Sequence, residues 1–150
     1  MATNARLEDQ RRYELQHEQL AIRLALTGGG AVLALAGSAM PWTHGLGRVT
    51  EGRLSGDGRW TAMLALALLG CAGWYYRRPE RISARLGAAV AVALLALAIV
   101  EWNTVSDDVD SANHANGLFA TASVAPGIWV LLIGAILATI GALWTLRVDR

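Results

Sequence analysis

Four stretches of almost uninterrupted apolar residues, 20–40, 60–76, 86–102 and 127–146, decide what this 150-residue chain can become. A helix rises about 1.5 Å per residue, so roughly 20 residues carry it across a hydrocarbon core about 30 Å thick. Runs of that length predict membrane spans rather than the short buried helices of a soluble domain. Composition points the same way, since 54% of residues are hydrophobic and 17% are charged, more apolar than an ordinary soluble domain of this size. The expected fold is an all-α membrane protein. It is a four-transmembrane-helix bundle occupying residues 20–146, with a cytoplasmic juxtamembrane segment at 1–19 and a cytoplasmic tail at 147–150.

Orientation follows from the arginines. Arg77, Arg78, Arg81 and Arg85 crowd the short connection between the second and third runs, and arginine collects in cytoplasmic loops. With both termini inside, Arg6, Arg11, Arg12, Arg23, Arg147 and Arg150 join them, and only Arg48, Arg53 and Arg59 lie outside. In the N-terminal segment Glu8 and Arg12 have the i,i+4 spacing of a short solvated helix. Arg23 stands near the start of the first run, from where its side chain is expected to snorkel to the cytoplasmic headgroups.

Small residues mark the faces that meet. Gly30 with Ala34, and Gly87 with Ala91, are small-xxx-small steps that let helix backbones approach in lipid. Gly127, Gly134 and Gly141 recur every seven residues and leave one face of the last helix almost free of side chains. That face predicts close packing within the bundle or across a homo-oligomer. The first run ends at Pro41-Trp42, and Gly56-Asp57-Gly58 signals a turn before the second. Thr43, Val49 and Thr50 suggest a brief hairpin in between.

Polar chemistry is concentrated in the outer connections. The first carries Arg48, Arg53 and Arg59 against Glu51 and Asp57. The second, read as a polar loop over 103–116 after an exit at Glu101-Trp102, adds Asp107, Asp108, Asp110 and His114. Trp42, Asp57, Glu101, Asp107, Asp108, Asp110 and His114 therefore form a candidate outer recognition face. The opposite charges of the two connections also favour contact between them.

Specific chemistry is harder to find. Asp108-Val109-Asp110 opens like a calcium loop, but Ala112 and Asn113 stand at a ligand and the turn-glycine position, and no glutamate closes it at Phe119. His44 and His114 lack a metal-ligand spacing. The serines occupy no nucleophile elbow, and Cys71 has no partner in the chain. No enzyme, metal or cofactor is expected, and a net charge of +1 without a basic face argues against nucleic acid.

Pro41-Trp42, Gly56-Asp57-Gly58 and Gly127-Ile128-Trp129 together resemble a family of small four-span membrane proteins of actinobacteria and their phages, over nearly the whole of 20–146. Most members of that family have no assigned activity. Similar phage-encoded proteins act in prophage immunity, so the resemblance implies superinfection exclusion as one alternative. The main expectation is a non-enzymatic, multi-pass accessory protein of the cytoplasmic (inner) membrane. It would meet another membrane or envelope protein through its outer loops or helix faces. A subunit of an oligomeric channel or transporter is the other alternative, and it lacks the ionisable midplane groups such a path needs.

Overall fold

In the computed structural model, residues 2–44, 58–116 and 122–148 are described, with side chains over 18–44, 58–114 and 122–147. Four helices and one pair of very short strands make up this part of the chain: α1 (Ala2–Ala39), β1 (Thr43–His44), α2 (Gly58–Arg77), α3 (Arg81–Asn116), β2 (Ser123–Val124) and α4 (Pro126–Val148).

Proline sets most of the boundaries. Pro41 follows the end of α1, Pro79 separates α2 from α3, and Pro126 opens α4, where its missing N–H is no loss. At the α2–α3 turn, the Arg78 amide donates to the Trp74 carbonyl (2.8 Å) and the Ser83 hydroxyl donates to the Glu80 carbonyl (2.8 Å), closing one helix and opening the next. Arg77, Arg78, Arg81 and Arg85 are all exposed around it.

The N-terminal segment, expected as a short helix running into the membrane, is helical and continuous with the first run in α1. One element differs from the sequence reading. The polar stretch 103–116 is not a loop after Trp102, because α3 continues to Asn116. No proline or glycine interrupts 103–116. Val105 is buried and Val109 and Ala112 are half-buried, a stripe at helical spacing that keeps one face covered.

Glu18–Ala39, Arg81–His114 and Pro126–Arg147 are long and apolar enough to cross a membrane, which marks the chain as a membrane protein. Residue sizes are distributed accordingly. Of the 19 buried apolar residues among those described, 12 are alanine. The large side chains, among them Met63, Leu66, Val92, Ile99, Ile133 and Ile140, face outward.

The most extensive contact joins α1 to α4. Gly30 lies against the backbones of Gly134 and Ala138, and Gly134 lies against those of Gly30 and Ala34. A Cβ at Gly30 would stand 2.7 Å from the Gly134 oxygen and 2.9 Å from the Ala138 Cα. The seam extends both ways, with Gly37 against Gly127 and Leu131, and Gly141 against Thr27. Gly87 faces α2, where its Cβ would meet that of Cys71 at an ordinary 3.6 Å. Fully buried Ala91 turns to α4, its carbonyl accepting from the Thr139 hydroxyl (3.1 Å).

These clearances predict opposite outcomes for two glycines. Gly134→Leu pushes α1 and α4 apart and destabilises by about 1–3 kcal/mol or more, as overpacking does. Gly29→Ala has open space and is neutral, or stabilising by up to about 1 kcal/mol. Thermal unfolding of the purified variants in one detergent checks both.

Candidate functional site

The end of the bundle away from the arginine turn is built by backbone pairing. β1 and β2 are antiparallel, with Thr43 opposite Val124 and His44 opposite Ser123. The Ala125 amide donates to the Trp42 carbonyl (2.8 Å) and the Gly127 amide to the Pro41 carbonyl (3.2 Å). Thr43 thus pairs with the other connection. Val49 and Thr50 lie outside the described residues. The two connections do meet, and strand pairing is what joins them.

The extension of α3 rises beside this pair. Asn113 holds it in place, since its Nδ2–H donates to the Ala122 carbonyl and its Oδ1 accepts from the Ala122 amide, each at 3.1 Å. Asp107, Asp108, Asp110 and His114 are exposed along the outer side of the same helix. His114 Nδ1–H donates to the Asp110 carbonyl one turn back (2.8 Å). A helix, not a loop, therefore presents these three carboxylates, and their spacing is set by its geometry.

Two members of the expected recognition face are elsewhere. Trp42 is 6% exposed and donates its indole N–H to the Gly37 carbonyl (2.9 Å), so it plugs the end of α1 instead of offering an aromatic surface. Glu101 is 8% exposed within α3, because the helix does not end there. Asp57 lies outside the described residues. Trp102 does meet an aromatic partner, Trp129, with ring centroids 4.3 Å apart and planes at 58°.

Beneath this end the polar side chains are internally matched. The Ser38 and Thr61 hydroxyls share a hydrogen bond (2.7 Å), and whichever of the two accepts it donates its own proton to a backbone carbonyl, that of Ala34 for Ser38 or of Gly58 for Thr61. The Thr139 hydroxyl shares its one proton between the Ala135 carbonyl of its own helix (2.7 Å) and that of Ala91, and Thr145 donates to the Gly141 carbonyl. In a low dielectric such pairing avoids the penalty of an unsatisfied group. Near the opposite end, Thr27, Cys71, Tyr75, Ser83 and Thr145 help line a small cleft with about 30 Å³ of space, room for roughly two waters. Among the described residues, no group of three or more His, Cys, Asp and Glu side chains could hold a metal ion.

The fixed α3 extension was missed by composition, which read Asn, Ser and Asp as loop formers. Its signal was the apolar stripe Trp102, Val105, Val109 and Ala112. Nothing local in the sequence foretells the Asn113 clamp, which joins residues nine apart.

The architecture is that of a helical membrane protein. The chain matches no family model, no curated protein and no solved structure.

Asn113→Ala removes both bonds to Ala122. Hydrogen exchange at the Ala122 amide should then accelerate by about tenfold or more, as expected for the loss of roughly 1–3 kcal/mol of local hydrogen bonding. Amides within α4 should be unchanged.

Proposed function

We propose that the chain is a non-enzymatic interaction protein of the cytoplasmic membrane that presents the outer end of α3 to a basic segment of another membrane or envelope protein. All four helices cross the bilayer on this reading, with both termini and the arginine turn inside. The 20 residues of α2 suffice for about 30 Å. Met63 and Leu66 of α2 face outward, and exposed Trp60, Trp74 and Tyr76 lie near its two ends, as membrane anchors do.

The observation that carries the reading is the ordered acidic helix. Asp107, Asp108 and Asp110 are exposed on a segment secured by buried Val105 and by the Asn113 clamp. Preorganised charge steers a partner of opposite sign and avoids the entropy of ordering a loop. Contact through this surface is favoured over conduction through the bundle, because the hydroxyls between the helices are bonded to one another and to backbone.

Two measurements test this. In a Cys71→Ala background, a cysteine at exposed Ser111 should react with a membrane-impermeant reagent in intact cells, and one at exposed Glu80 only after lysis. Reaction at Glu80 alone would invert the topology. A photo-reactive residue at Asp108 should give a discrete cross-linked partner in native membranes. Asp107→Asn with Asp110→Asn should reduce that yield several-fold, as should high salt. A yield indifferent to both, with unchanged protein levels, would contradict recognition by charge.

A further inference from the structure

Arg23 does not snorkel freely to the surface. It is 4% exposed, enclosed between α1 and α4. Its Nη2–H donates to the Gln19 Oε1 one turn back (3.0 Å), and its guanidinium carbon stands 5.6 Å from the centroid of the Trp144 ring. Its Nε is buried with no partner. Among the described residues no carboxylate meets it. Glu18, the nearest described acid in sequence, is exposed and five residues away on a different side of α1.

A guanidinium cannot shed its proton to escape burial, and an uncompensated buried charge is strongly unfavourable. Gln19 supplies a dipole and Trp144 a π face, but neither supplies negative charge. Among the described residues, no side chain supplies the counter-charge. Arg147 lies three residues beyond Trp144 on the same side of α4 and is exposed. The seam that sets Gly141 against Thr27 carries both of these α4 residues past Arg23 towards the helix end. An anion approaching there encounters two guanidinium groups and an indole.

We propose that this end of the α1–α4 seam is a binding site for a phosphate anion, with Arg23 as its buried charge and Arg147 as its outer one. The phosphate chemistry has two sources, the phosphodiester of an anionic phospholipid and free phosphate. The lipid is favoured by depth. The apolar runs begin at Leu20 and end at Leu146, which puts Arg23 and Arg147 within three residues of their ends, at the level of headgroups.

Full-length protein in neutral detergent, supplemented with phosphatidylglycerol, phosphatidylcholine or inorganic phosphate, tests the site by thermal unfolding and native mass spectrometry. Phosphatidylglycerol should raise the unfolding midpoint by roughly 2–4 °C or more and persist as a one-lipid adduct, and phosphatidylcholine should do neither. Arg23→Gln should abolish the shift and Arg147→Gln should weaken the adduct several-fold. An equal shift with inorganic phosphate alone, lost in the same variants, would assign the site to free phosphate. Equal responses to both lipids, or a full response in the variants, would overturn the proposal. If Arg23→Gln fails to fold, Arg147→Gln, altered at an exposed side chain, decides alone.

Discussion

Everything in this bundle depends on how closely two backbones can approach. Between helices in lipid there is little hydrophobic gain to be had, because acyl chains are as apolar as leucine, so association relies on dispersion and close fit. The α1–α4 seam meets that requirement by omitting side chains. Gly30, Gly37, Gly127, Gly134 and Gly141 let the main chains touch, and Ala34 and Ala138 fill the space between. The seam also fixes the far end of the molecule, since it ends where the Gly127 amide reaches the Pro41 carbonyl and the strand pair begins.

With α1 and α4 locked together, α2 and α3 pack against them through alanine, leaving the bulky residues outside. In water that arrangement would expose a large apolar surface, and in a bilayer it places that surface against lipid. The hydroxyl groups follow the same economy of space. Ser38, Thr61 and Thr139 are small enough to sit between helices, and each satisfies its hydrogen bond there. On our reading the interior is a structural element, and recognition belongs to the surfaces at the two ends, one acidic and one basic.

The helical class was legible because long apolar runs bounded by Pro41, Pro79 and Pro126 admit few other structures. The glycine repeat was equally visible, although spacing alone left open whether its partner lay in the same chain. Less could be read wherever a residue suits two environments. Tryptophan beside a span end fits an interface, yet Trp42 turns inward to cap α1. Arginine near a span start usually reaches water, yet Trp144 arrives from more than a hundred residues away to cover Arg23. Asn, Ser and Asp favour turns, but in 103–116 the covered stripe outweighs that local preference. In each case the deciding contact is tertiary, and no local pattern encodes it.

The central claim, that α1 and α4 of one chain meet backbone to backbone, is most directly tested by solid-state NMR in bilayers. Protein with labelled glycine and alanine, diluted into unlabelled protein, should give a cross-peak between the α-carbons of Gly30 and Ala138, which the structure holds in direct contact. Its persistence on dilution would place the seam within one chain, as the account predicts. Its absence, or its appearance only between differently labelled copies, would contradict the account.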